Sequence, residues 1–156
     1  MSVYADLLAE VARLHALYPT AAIKTTGHSL GAALAQLAAM NLLKDGFSGI
    51  TMVNFGQPRT GDKAYAAFSN AKLANSQYRV VHYQDPVPHL APRNPVVDYL
   101  HVAYEMYEDL DGSIRQCNST GEDPTCADQW GPLQQNADDH SYYLGKLMSC
   151  GVTQFL

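Results

Sequence analysis

The chain has 156 residues, which is room for one domain and leaves none for a second core. Ten Lys and Arg against fifteen Asp and Glu give a formal charge of −5, which argues against nucleic acid as a partner, because phosphate binding needs a basic face. Charged residues are 16% and hydrophobic residues 47%, so the chain can build a core; no apolar run approaches the ~18 residues of a membrane helix. Residues 1–10 lack a basic stretch followed by an apolar block, so no signal peptide is read in this chain.

Tyr4, Leu7, Leu8, Val11, Leu14 and Tyr18 recur at three- and four-residue intervals, which predicts an amphipathic helix over 3–18, ended by Pro19. Residues 21–26 have no helical repeat and read as a buried strand before Gly27. Leu30, Ala33, Leu34, Leu37 and Ala38 return to helical spacing over 30–43, with Gly46 as the stop. A β-rich run at 50–55, a short helix at 62–68 and a third strand at 78–83 follow. Strand, helix, strand, helix, strand is the order of a parallel sheet covered by helices. Four prolines (Pro86, Pro88, Pro92, Pro95) then mark a loop, and segments 101–107 and 113–117 flank Asp111-Gly112 as a late hairpin. Residues 117–139 are polar and irregular, and a last helix is expected over 140–148.

The chemically informative run is Gly27-His28-Ser29-Leu30-Gly31, a G-x-S-x-G motif between a strand and a helix. A serine on such a turn is held in a strained backbone conformation that lifts its hydroxyl above the sheet edge. Side chains at Gly27 and Gly31 are expected to clash there, and the Leu30 N–H at the helix start is the expected oxyanion donor. The bland alternative is a glycine-rich turn whose serine caps the helix.

A serine nucleophile needs a base, and the base an orienting acid, in the chain order Ser, Asp or Glu, His. Of six histidines, His140 alone stands in a separate element downstream of a suitable acid. Asp85, just past the third strand, is the first choice of acid and Asp98 the second. The other five histidines are read as structural. No tight metal-ligand spacing, Walker loop or G-x-G-x-x-G is present, so neither metal nor cofactor is expected.

Cys117 and Cys126 are close in sequence and separated by loop formers, which predicts a local bridge worth roughly 2–3 kcal/mol and leaves Cys150 unpartnered. Between them lies the sequon Asn118-Ser119-Thr120. Bridge and sequon together indicate an oxidising, secretory setting.

Several ordered segments resemble the class 3 lipases of the α/β-hydrolase superfamily, the secreted fungal triacylglycerol lipases and feruloyl esterases. They are Gly27 to Ala35, Asn54-Phe55-Gly56-Gln57-Pro58-Arg59-Thr60-Gly61-Asp62, Arg79 to Pro92 and His140-Ser141-Tyr142-Tyr143. The intervals, 56 residues from Ser29 to Asp85 and 55 from Asp85 to His140, are also similar to the family's. The resemblance implies an α/β fold: residues 1–156 as one partial domain, the C-terminal portion of an α/β-hydrolase, with a mostly parallel sheet. It implies a Ser29-Asp85-His140 triad, with Val87, Pro88 and Leu90 as acyl-wall candidates and a lipid or acyl-ester substrate met at a lipid surface without a spanning segment. Family members carry a much longer segment before the turn than the 28 residues here, so a second oxyanion donor and a lid are expected to lie outside this chain. Cys150 resembles a family cysteine that pairs near the N-terminus. The expectation is a secreted serine ester hydrolase, lipase or feruloyl esterase; the alternative is a catalytically impaired or non-enzymatic fragment.

Overall fold

In the computed structural model, residues 3–93, 96 and 98–148 are described. In chain order the elements are α1 (Val3–Leu17), β1 (Lys24–His28), α2 (Leu30–Lys44), β2 (Thr51–Phe55), β3 (Gly61–Asp62), α3 (Lys63–Lys72), β4 (Gln77–His82), β5 (Tyr99–Leu100), β6 (Glu105–Glu108), β7 (Ile114–Gln116), β8 (Tyr142–Tyr143) and β9 (Lys146–Leu147). Short 3-10 turns occupy Val87–His89, Ala127–Gln129 and Ala137–Ser141.

The main sheet has the order β1-β2-β4-β6-β7. The first four strands are parallel and β7 returns antiparallel to β6, closing the expected hairpin at Gly112 with φ 80°. Crossovers make the parallel pairing possible, since a parallel neighbour cannot be reached by a tight turn: α2 joins β1 to β2, α3 joins β2 to β4, and a long connection through β5 joins β4 to β6. The register stacks His28 beside Phe55, Phe55 beside Val80, and His82 beside Glu108. The carboxyl ends of β1, β2, β4 and β6 therefore share one rim, the place where open α/β sheets bind ligands.

Apolar packing follows from the patterning. Ala39, Met40, Leu42, Ile50 and Leu73 form one core against Leu8, Val11 and Phe47. Met52, Ala66 and Val102 form a second, and Val81, Tyr107, Cys117, Cys126 and Ala127 a third. The Cys117–Cys126 bridge is present, with Cα atoms 6.2 Å apart. Cys150 lies outside the described residues.

Three expectations need correction. The first strand starts at Lys24, not residue 21, and none of its residues is buried: among the described residues it pairs only with β2 and is the sheet edge. The helix after Asp62 runs on to Lys72, started by the Asp62 carboxylate accepting the Tyr65 N–H at 2.8 Å. The last helix is absent. His140 sits in a 3-10 turn, and β8 and β9 form a hairpin whose two loop residues, Leu144 (φ 52°) and Gly145 (φ 69°), both take the left-handed conformation of a two-residue turn. Alternation in this hairpin buries Tyr143 while Tyr142 faces out.

Candidate active site

Ser29 occupies the turn between β1 and α2 with φ 59° and ψ −131°, a conformation that costs a non-glycine residue about 1–3 kcal/mol. Two neighbours hold it there. Its N–H donates to the Phe55 carbonyl at 3.0 Å, and Asn54 Nδ2 donates to the Ala32 carbonyl in the first turn of α2 at 2.8 Å. Asn54 also donates to Gln57, which donates to Gln36 and to Thr60, so a buried amide chain ties the β2 end to α2. The serine side chain makes no capping hydrogen bond to α2, so the capping role of the bland reading is not seen. A Cβ at Gly27 would lie 2.2 Å from the Gly31 carbonyl oxygen, as expected for a tight elbow; at Gly31 nothing lies within 4 Å, so the expected clash there is not found among the described residues. The Leu30 N–H belongs to the first turn of α2, which has no intrahelical acceptor.

Asp85 is fully buried three residues beyond β4. Its Oδ1 accepts the Val87 N–H at 2.8 Å, and its Oδ2 accepts from His140 Nδ1 at 2.8 Å and from the Tyr143 hydroxyl. Burial, and then the Asp85 charge, push the Tyr143 hydroxyl well above its ordinary range, so it stays a donor. With Nδ1–H committed to the carboxylate, His140 keeps Nε2 as its free, proton-accepting nitrogen. Asp98 is exposed and its backbone pairs with that of Arg93 in an isolated antiparallel bridge; among the described residues no hydrogen bond or ion pair joins this runner-up acid to a histidine.

Two histidines set aside as structural belong to this cluster. His28 Nε2–H donates to the His140 carbonyl at 2.8 Å, and the two rings stack with centroids 4.4 Å apart. His82 Nδ1–H donates to the preceding carbonyl, that of Asp139, at 3.0 Å, and its ring meets Tyr143 edge-on. Two strands thus clamp consecutive carbonyls of the turn that carries His140. Burial lowers the His28 pKa, which keeps a second cation away from the His140 ring. Both histidines end strands on the shared rim, but a partner in a backbone carbonyl leaves no spacing pattern by which the sequence could have marked them. Ser29, the residue after His28, stands on the same rim, and its hydroxyl makes no hydrogen bond among the described residues.

The acyl-wall candidates lie just beyond Asp85. Val87 is half-buried, Leu90 is 56% exposed, and Pro88 is buried with its carbonyl accepting from His101 Nε2 at 2.7 Å. Arg59 holds this loop: its guanidinium donates to the carbonyls of His89 and Ala91 and, twice, to Glu122. Burial pushes Glu122 up, but the Arg59 hydrogen bonds and the His101 and Arg59 charges outweigh it and hold the carboxyl at about 2. Asp128, near Arg59 and His89, goes the other way, raised to about 6 by burial and the Glu122 charge. The described residues include one cluster with metal-like spacing, Glu105, Cys117 and Cys126, whose two sulfurs are bonded to each other.

A family model for lipase (class 3) matches residues 1–94. The chain belongs to the class 3 lipase family. A secreted mono- and diacylglycerol lipase 1 of Fusarium solani is 40% identical over 110 residues, covering 70% of this chain and 31% of that protein. A lipase of Rhizomucor miehei is 31% identical over 144 residues, 88% of this chain and 39% of that one. Among solved structures, the triacylglyceride lipase of Rhizomucor miehei superposes with a TM-score of 0.82 at 30% identity, over 92% of this chain and 55% of that chain. A triacylglycerol lipase whose catalytic centre is described as a serine protease triad superposes with a TM-score of 0.84 at 30% identity, over 94% and 56%. This class 3 lipase chain therefore spans between 31% and 39% of these curated relatives and just over half of the solved ones. No helix among the described residues is long and apolar enough to cross a membrane.

Proposed function

We propose that this class 3 lipase chain carries the Ser-Asp-His machinery of a carboxylic-ester hydrolase for lipid esters, with Ser29, Asp85 and His140 as the triad. The observation that carries the reading is the buried Asp85 carboxylate bonded to His140 Nδ1 on the rim where Ser29 stands, strained and uncapped. In this reading Ser29 Oγ attacks the ester carbonyl carbon while His140 Nε2 takes the hydroxyl proton and returns it to the leaving alcohol. Asp85 fixes the tautomer and stabilises the imidazolium, and the Leu30 N–H stabilises the oxyanion. Water then releases the acid from the acyl-enzyme by the same proton route in reverse.

Lipid esters are favoured over feruloyl esters because the relatives are named as lipases. Exposed Leu30 and Leu90 offer apolar surface for a lipid interface. The relatives named as secreted, together with the Cys117–Cys126 bridge, support an extracellular setting for the whole protein. A second reading, a chain without catalysis of its own, is favoured by one observation, the 31–39% of the curated relatives and just over half of the solved ones that this chain spans.

The test is hydrolysis of p-nitrophenyl esters of graded chain length by the protein expressed from its complete gene and by the 156-residue chain. Turnover by the complete protein that disappears in Ser29→Ala supports the proposal; turnover that survives the substitution overturns it. Activity of the 156-residue chain itself removes the second reading.

A further inference from the structure

We propose that Asn118 is an N-glycosylation site, carrying an oligosaccharide linked through N-acetylglucosamine. The proposal rests on the secretory reading above. Asn118, Ser119 and Thr120 are all exposed, and Asn118 lies two residues beyond β7. The Thr120 N–H, which can only donate, points at the Asn118 side-chain oxygen at 3.0 Å, and the Thr120 hydroxyl donates to the same atom at 2.5 Å. That fixes which end of the amide faces the loop. Nδ2, the atom that takes the sugar, is the free end and makes no hydrogen bond among the described residues.

The loop is held without any help from that nitrogen. Cys117 is tied to Cys126, and its N–H donates to the Glu105 carbonyl at 2.9 Å. Asp123 accepts from the Asn118 N–H at 2.7 Å and from both the N–H and the hydroxyl of Thr125. A glycan on Nδ2 therefore displaces no hydrogen bond and enters no core. In the transfer, the bond from Nδ2 to the sugar C1 forms, the C1–oxygen bond to a lipid-pyrophosphate oligosaccharide donor breaks, and one Nδ2 proton leaves to base. No oxidant or reductant is needed. The site also has a use. Among the described residues β7 is an edge of the main sheet with all three residues exposed, Ile114 to 48%, and an open edge invites pairing with another chain. A bulky, hydrated group next to it hinders that pairing.

The experiment expresses the protein from its complete gene in a eukaryotic secretory host and treats the secreted material with peptide-N-glycosidase in heavy-oxygen water before peptide mass analysis. Conversion of Asn118 to heavy-oxygen aspartate is expected in most molecules, lost in Thr120→Ala and kept in Ser119→Ala. Protein that reaches the medium with Asn118 unmodified overturns the glycan proposal alone. Protein that never enters the secretory pathway overturns this proposal and the secretory reading together.

Discussion

Replacing Gly56 with alanine measures how tightly the Asp85–His140–Tyr143 cluster is held. Gly56 follows β2 with φ 53°, and a Cβ there would lie 2.8 Å from the Tyr143 hydroxyl, 2.9 Å from Asp85 Oδ2 and 3.0 Å from His140 Cε1. Carbon contacts are optimal near ~3.5–4.0 Å, so these atoms must retreat by roughly half an ångström or more. Two of them have no room: Asp85 is fully buried, and Tyr143, 1% exposed, is packed edge-on against His28, Phe55 and His82. The left-handed backbone costs an alanine about 1–2 kcal/mol and the overpacking about 1–3 kcal/mol, so a loss of about 2–5 kcal/mol is expected. For a chain of this size that lowers Tm by roughly 5–15 °C. Displacing the imidazole by a fraction of an ångström should also cut ester turnover by about 10- to 100-fold. Gly112→Ala is the control: Gly112 has φ 80°, but an added methyl there meets nothing within 4 Å among the described residues, so only the backbone cost applies. The assays are thermal denaturation by circular dichroism and initial rates well below Tm. If both variants melt and turn over alike, Asp85 and Tyr143 are not held as rigidly as their burial implies.

His28→Phe keeps a ring against His140 but removes the N–H held by the His140 carbonyl; turnover should fall roughly 3- to 10-fold at unchanged KM, from the ~0.5–1.5 kcal/mol of one hydrogen bond, and His28→Gln should restore most of it. Equal loss in both variants would mean that the N–H does not matter. Asp128, raised to about 6, keeps a proton in the fold that the unfolded chain has released, so its contribution to stability declines as pH rises from about 4 to about 6. Asp128→Asn removes that titration, and its Tm relative to wild type should improve across the same window; a constant gap contradicts the assignment. Serine at both Cys117 and Cys126 should cost about 2–3 kcal/mol by loop closure, read as a lower denaturation midpoint at unchanged slope.

The elements that position the site were legible because they rest on local rules. G-x-S-x-G demanded a strand before and a helix after, and β1 and α2 supply them. Asp85 and His140 followed from chain order and the need for an acid and a base, and the structure joins them by a hydrogen bond. The burial of β1 was misjudged because an edge strand and an inner strand share the same short run; only the neighbours distinguish them. The helix expected over 140–148 failed because its apolar residues fit a helix as well as a hairpin, and the outcome was decided by Leu144 and Gly145 at positive φ and by the burial of Tyr143. The histidine clamp and the Arg59 anchor were illegible for another reason: their acceptors are carbonyls of distant loops, which any residue supplies.

The most direct test of the triad is covalent. A fluorophosphonate probe incubated with the protein from its complete gene, followed by peptide mapping, should place the adduct on Ser29, with labelling at least about 100-fold slower in His140→Ala, since an unassisted serine hydroxyl is a weak nucleophile. An adduct on another residue, or Ser29 labelling that is indifferent to the loss of His140, would contradict the account.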